Sequence, residues 1–280
     1  MTEKGLLYLV ATPIGNLGDI TFRAIEVLKS ADLIAAEDTR RTMSLLSHLD
    51  IKKQVTSYYE HNAKTKGEYL ISLLNEGKNI ALVSDAGTPA ISDPGEDIVR
   101  LCIEKDIRII PIPGATAAIS ALICSGMSTK NFTFCGFLST VNKERKEQLS
   151  EYKEITHTMI FYEAPHKLKK TLGDLYEAFG DRRITIAREL TKIYEEIKHT
   201  THSAAIEYYN ENEPRGEFVL IIDGKEKTNE NEFLNNLSIK EHINYYMNQG
   251  MDKKDAQKRV AKDRGVSKRD IYNAELAERN

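Results

Sequence analysis

Short apolar runs and helical spacings take turns along the first half of the chain. Residues 6–11 (Leu-Leu-Tyr-Leu-Val-Ala) are apolar over a strand's length and stop at Thr12-Pro13-Ile14-Gly15. Ile20, Ala24, Val27 and Leu28 then recur at the spacing that puts them on one face of a helix. Further apolar runs at 33–36, 79–84 and 107–112 are separated by helical stretches near 61–77 and 94–105. Strands alternating with helices predict an α/β domain with a mostly parallel sheet over residues 1–125.

The rhythm changes near Ser125-Gly126-Met127. Strand-like segments at 131–137, 157–163, 183–190, 192–201 and 216–222 now dominate, with helices near 143–152 and 165–179. They predict a second, α+β domain over 126–223 whose sheet is at least partly antiparallel. Residues 224–232 are polar without periodicity and read as a linker. After it, Ser238 with Glu241, Asp252 with Asp255, and Ser267 with Asp270 each place a capping side chain three residues before an acidic one. With Gly250 and Gly265 as stops, residues 224–280 predict the linker and a small helical appendix resembling a helix-turn-helix.

Composition narrows the class. The 280 residues are 41% hydrophobic and 29% charged, enough for two globular cores. No run of about eighteen apolar residues occurs, so no membrane is expected as a partner. The first ten residues lack a charged leader and a small-residue cleavage site, and read as a first strand rather than a signal peptide. Cys102, Cys124 and Cys135 lack metal-ligand spacing. They read as buried small hydrophobes in a reducing compartment, which points to the cytoplasm. The net charge of −3 gives no global sign of a nucleic-acid partner. Residues 251–280 are locally basic, with nine Lys or Arg against six Asp or Glu, a weak footprint that many solvated helices share.

Ligands of an open α/β sheet bind beyond the carboxyl ends of its strands, so the loops there hold the candidate chemistry. The loop from Thr12 to Asp19 is not G-x-G-x-x-G, and no G-x-x-x-x-G-K-[ST] occurs, which disfavours a dinucleotide oxidoreductase and a P-loop nucleotidase. In Ser84 through Gly95, Asp93 is a candidate N-cap, with Pro94 at the first helical position and Glu96 closing a capping box. The front half of that loop ends a strand on the carboxylate of Asp85 and continues in small residues that expose backbone. A small polar molecule with an amino-acid end and an adenosine end suits such a surface; a plain tight turn would use Gly87 and Pro89 equally. Pro111 through Ala118 leads a strand into an Ala-rich helix, where small residues admit either a ligand or close helix packing.

Val10 through Asp19, Ala36-Glu37-Asp38-Thr39-Arg40, Ser84 through Gly95 and Pro111 through Thr116 closely resemble the tetrapyrrole-methylase superfamily. Within it they are similar to the branch of the ribosomal RNA small subunit methyltransferases I. Phe161-Tyr162-Glu163-Ala164-Pro165-His166 and Gly216-Glu217-Phe218-Val219-Leu220 extend the likeness over nearly the whole chain. The resemblance implies a class III methyltransferase fold of two α/β domains, S-adenosyl-L-methionine held in the cleft between them, and a homodimer. It implies 2′-O-methylation of a cytidine in the decoding region of 16S ribosomal RNA, within the small ribosomal subunit. It also implies cofactor contacts from Pro13, Asp85, Gly87, Thr88, Ala115 and Thr116, joined by Phe137, Tyr162, Ala164 and Gly216 of the second domain.

A methyl sulfonium is already activated, so such an enzyme needs mainly alignment. A ribose hydroxyl is a poor acid, and a general base helps. Glu37 and Asp38, just past the second strand, are the catalytic candidates, with Arg40 and Arg41 placed to hold a backbone phosphate. The same residues also read as a helix N-terminus whose dipole favours acids in the first turn. Glu163, Arg188 and Glu189 are further candidates, whereas His61 and His166 read as exposed or structural. No His/Cys/Asp cluster has metal spacing, so no metal is expected. A methyltransferase for a small tetrapyrrole precursor is the alternative enzyme, against which the appended helices speak. A helix-turn-helix regulator that binds nucleic acid is the alternative of another class.

Overall fold

Five short strands, β1 (Leu7–Val10), β2 (Leu33–Ala36), β3 (Val55–Ser57), β4 (Ile80–Val83) and β5 (Ile109–Ile112), form a sheet in the order β3-β2-β4-β1-β5. Every pairing in it is parallel. The source is a computed structural model that describes residues 3–226, 234 and 237–277. Successive strand residues are apolar because both faces are covered. Leu33 and Ala35 face α3 (Ala63–Asn75) and α4 (Gly95–Glu104) through Leu70, Leu74 and Ile98. Ile34 and Ala36 face α1 (Phe22–Ser30) and α2 (Thr39–His48) through Ala24, Leu28 and Leu46. Two-sided burial is the condition under which parallel strands read as continuous apolar runs. All five carboxyl ends lie along one edge, which gathers the loops after β1, β2, β4 and β5.

The second sheet contains β6 (Phe132–Gly136), β7 (Thr158–Glu163), β8 (Arg183–Arg188), β9 (Glu196–Thr201) and β10 (Phe218–Ile222) in the order β6-β7-β10-β8-β9. Only β6 and β7 pair parallel; the other pairings are antiparallel, as the sequence pattern predicts in part. One face packs Met159, Phe161 and Leu220 against Leu149 of α6 (Asn142–Tyr152), Leu168 of α7 (Pro165–Phe179) and Ala205 of α8 (His202–Glu211). On the other face Ile160, Val219 and Ile221 pack against Ala118, Ala121 and Leu122 of α5 (Ala117–Cys124). Helix α5 follows the first sheet in sequence but covers the second, and Met1–Gly224 is one compact unit. Burial pushes the Cys102 thiol up to about 11 and the Cys135 thiol up to about 12, which keeps both protonated and inert. Cys124 is exposed at the end of α5, contrary to its reading as a buried residue.

The second compact unit is Lys225–Asn280. Its described helices are α9 (Ile239–Asn248), α10 (Lys253–Asp263) and α11 (Lys268–Ala277), closed on a core of Leu234, Ile243, Tyr246, Val260 and Ile271. All three expected caps form: Ser238 and Glu241 exchange bonds, Asp252 Oδ1 accepts from Asp255 N–H at 2.8 Å, and Ser267 and Asp270 exchange bonds. The linker expected over 224–232 lies mostly outside the described residues. Two of the basic residues serve the unit itself. Arg264 donates to Nδ1 of buried His242 at 3.1 Å and to the Leu234 carbonyl, and Arg259 pairs with Asp263 at 3.3 Å. Lys254, Lys258, Lys262 and Arg269 are exposed. Among the described residues no helix is long and apolar enough to cross a membrane.

Candidate functional site

The loops at the carboxyl edge of the first sheet are tied to one another. Thr12 and Gly87 exchange backbone hydrogen bonds of 2.9 and 3.1 Å, fastening the loop after β1 to the loop after β4. Thr88 Oγ1 donates to the Ala115 carbonyl at 3.1 Å, fastening the β4 loop to the β5 loop. Asp93 Oδ1 accepts the N–H of Ala90 (2.9 Å) and Gly95 (2.7 Å), but the N-cap of α4 is Pro94, so Asp93 ties the loop to the first helical residue from one position further out and is not the cap itself. Pro94 stands one residue ahead of that helix, and Glu96 pairs with Arg100 at 2.9 Å rather than closing a box. Ala90 and Ser92 have φ of +68° and +62°. Left-handed conformations at non-glycine residues are uncommon and cluster at functional sites. Gly87, at φ +81°, is held so close that a Cβ would meet an Ile14 methyl at 3.1 Å. Gly87→Ala is therefore expected to cost about 1–2 kcal/mol and to lower the melting temperature by roughly 2–8 °C in a thermal unfolding experiment.

These loops form one wall of a cavity of about 560 Å³, within the size range of small-molecule sites. The opposite wall comes from the second sheet. Asp85, Gly87, Thr88, Thr116, Phe137, Tyr162 and Ala164, all expected to hold a cofactor, line this cavity. Ala115 stands behind the lining, holding Thr88 through its carbonyl. Gly216 precedes the lining residue Glu217; its φ is +87°, and a Cβ there would lie 2.5 Å from the Glu189 side chain. Pro13 lines a neighbouring cavity instead. Ile14, Leu190, Val219 and the exposed His166 also line the first cavity and were not anticipated. Apolar residues such as Ile14, Leu190 and Val219 carry no signal that separates a cavity wall from a core, and His166 reads as ordinary exposed surface.

Charge is concentrated where the β2 and β4 loops meet. Asp85 Oδ2 pairs with Arg41 at 3.2 Å, and its Oδ1 is buried without a hydrogen-bond partner. Glu37 Oε2 accepts the Asp85 N–H at 3.3 Å. Burial pushes the Glu37 carboxyl above its ordinary range; the Asp85 N–H opposes this, the charges of Asp85 and Asp93 add to it, and Arg41 offsets part of it. Asp38 turns the other way. It is the N-cap of α2, accepting the N–H of Arg40 (2.8 Å) and Arg41 (3.4 Å), which hold its carboxyl below the usual range. Neither Asp38 nor the exposed Arg40 lines the cavity. Of Glu37, Asp38 and Arg40, the structure brings Glu37 alone to it, together with Arg41.

A profile of the family described as Tetrapyrrole (Corrin/Porphyrin) Methylases matches residues 6–205. Over 273 residues the chain is 53% identical to the Ribosomal RNA small subunit methyltransferase I of Halalkalibacterium halodurans, covering 97% of this chain and 94% of that one. It is 49% identical over 276 residues to the protein of the same name from Bacillus subtilis, covering 98% and 94%. The chain belongs to the tetrapyrrole methylases, in the branch of these relatives. Among solved structures it shares its fold with uroporphyrin-III C-methyltransferase from Thermus thermophilus complexed with S-adenyl homocysteine (TM-score 0.56, 16% identity, 78% of this chain and 97% of that one). Diphthine synthase has the same fold (TM-score 0.60, 15% identity, 79% and 90%).

The methylase match takes in both walls of the cavity except the β10 side, at Glu217, Phe218 and Val219. Within it, the other acidic candidates are already engaged. Glu163 is buried in the wall; its Oε1 accepts the Ala164 N–H at 2.8 Å and its Oε2 the Thr171 hydroxyl, which in turn takes Arg145 Nη2 at 2.8 Å. Glu189 pairs with Lys192 at 2.8 Å, and Arg188 with Glu196 at 3.2 Å. These are frame interactions. Tyr162 accepts the Ala118 N–H on its hydroxyl at 3.2 Å, with Phe134 and Phe137 edge-on at 5.0 and 5.6 Å. Its phenol is pushed up by burial, and the three rings form an aromatic cluster of which Phe137 is exposed.

Proposed function

We propose that this chain transfers the methyl group of S-adenosyl-L-methionine to a ribose 2′-hydroxyl of small-subunit ribosomal RNA. Asp85 carries the reading: a buried carboxylate oxygen with no partner, in a cavity sized for one small ligand. Leaving such a group unmatched costs about 1–3 kcal/mol, which a ligand donor regains. S-adenosylmethionine has such donors in its ribose hydroxyls and amino group, and its adenine suits the apolar wall of Phe137, Tyr162 and Leu190. The S-adenyl homocysteine bound to the Thermus neighbour and the relatives' name support the same reading. The family resemblance supports a cytidine of the decoding region in 16S RNA, a homodimer and a cytoplasmic site of action.

When bound, S-adenosylmethionine supplies a methyl already activated by its sulfonium. The chain's own residues orient the partners, exclude water and move one proton. Glu37, fixed by the Asp85 N–H and raised in proton affinity, accepts the proton of the 2′-hydroxyl. Incubation with methyl-labelled S-adenosylmethionine and small ribosomal subunits tests the reading. Label is expected on one ribose of 16S RNA; label on a base, or on a tetrapyrrole precursor and no RNA, would refute it.

The helical unit is assigned to RNA grip through phosphate contacts, on the strength of its exposed Lys254, Lys258, Lys262 and Arg269. Deleting 225–280 is expected to leave cofactor affinity intact, because the cavity belongs wholly to the other unit. RNA or subunit binding is expected to weaken and its salt dependence to flatten. Equal affinity and an equal salt slope after deletion would remove the grip from these helices.

A further inference from the structure

Beside the cavity assigned to the cofactor lies a second of about 390 Å³, whose lining includes Thr12, Pro13, Leu17, Arg41, Ser44 and His48. The two share Arg41, Ser84 and Asp85, so they meet at the Arg41–Asp85 ion pair. One wall is helix α2. Arg41, Ser44 and His48 recur at helical spacing and face the same way, exposed, while Thr42 and Leu46 are buried beneath them. Thr12 also lines this cavity. It is 5% exposed, its backbone is locked to Gly87, and its Oγ1 has no hydrogen-bond partner. Buried hydroxyls without partners are rare in folded proteins, and this one belongs to a residue of the cavity wall.

We infer that this second cavity receives the nucleotide that carries the methyl acceptor. The inference rests on the methyltransferase reading above. The phosphate goes to the outer rim, where the Arg41 guanidinium matches phosphate geometry and His48 adds a ring nitrogen. The base lies against the apolar strip of Pro13, Leu17 and Leu45. The ribose then falls at the shared edge, within reach of the unpartnered Thr12 hydroxyl and next to Asp85, whose N–H also holds Glu37. A recessed site of this size takes a single nucleotide swung out of its stack, not a paired one. Pro13, which the family resemblance puts with the cofactor, becomes an acceptor contact.

The test uses the full-length protein and two readouts: S-adenosylmethionine affinity by calorimetry, and the half-saturating concentration of small ribosomal subunits in single-turnover methyl transfer at saturating cofactor. Ser44→Trp fills the cavity from an exposed helix position and His48→Gln trims its rim. Ser44→Trp is expected to raise the half-saturating subunit concentration about tenfold or more, and His48→Gln about threefold, with cofactor affinity within about twofold. Unchanged half-saturation in Ser44→Trp overturns the inference. A parallel loss of cofactor affinity also overturns it, by making the cavity an extension of the cofactor site. Unmodified protein that methylates no subunit RNA would sink the methyltransferase reading and the acceptor site with it, a result separate from an active enzyme indifferent to both substitutions.

Discussion

Asp85→Ala is expected to weaken S-adenosylmethionine binding by roughly ten- to a hundredfold. A hydrogen bond to a charged group contributes about 1.5–3 kcal/mol, and each 1.4 kcal/mol is about tenfold in affinity. The fold should survive. Asp85 Oδ1 has no partner within the protein, and its ion pair is with Arg41, whose side chain is 63% exposed, a geometry that contributes little stability. Calorimetry and thermal unfolding on the same sample separate the two effects. Unchanged affinity in a folded variant would remove Asp85 from the site. Thr116→Val is the milder companion, deleting one lining hydroxyl at nearly constant volume, with an expected loss of a few fold. If neither variant changes affinity, the cofactor binds elsewhere.

The strands of the first sheet were legible because burial on both faces writes a continuous apolar run, and β2 is the plainest case, with all four residues buried. Strand β3 was not legible. Val55-Thr56-Ser57 is a half-buried edge of three residues, held by pairing to β2 that no local pattern encodes. Helix α8 was hidden for another reason. Ala205 and Tyr209 are its buried apolar positions, and it follows β9 directly, so the turn into it has no glycine or proline. The strand expected from residue 192 starts at Glu196, because Glu189 and Thr191 take left-handed φ and turn the chain first. At the site, Asp85 was legible as a carboxylate ending an apolar run. The division of labour between Glu37 and Asp38 was not: adjacent acids after a strand look alike until helix α2 begins at Thr39 and claims Asp38 as its cap. The neighbouring cavity was illegible too, since its wall is the exposed side of a helix whose sequence reads as ordinary solvated surface.

Glu37→Gln is expected to lower the single-turnover methylation rate by about 10²–10⁴-fold with little change in cofactor affinity. The substitution keeps the shape of the side chain and its acceptor oxygen for the Asp85 N–H, and removes only the basicity. Asp38→Asn is expected to leave the rate near normal, because asparagine caps a helix as aspartate does. The reverse result would return the catalytic role to Asp38. The rate should also titrate. A base works when deprotonated, so transfer should rise with pH through the elevated Glu37 value and the Glu37→Gln variant should lose that limb. Stability should move the opposite way. A carboxyl whose affinity for a proton is higher in the folded protein stabilises it below the unfolded value and loses that contribution as pH rises through the folded one. At neutral pH the charged Glu37 therefore weighs against the fold, since the native state favours its protonated form. Glu37→Gln should melt at the same temperature as the unmodified protein or higher while transferring methyl far more slowly. A variant that loses activity and melts lower by several degrees would mean that Glu37 holds the loops together, and that the proton leaves by another route.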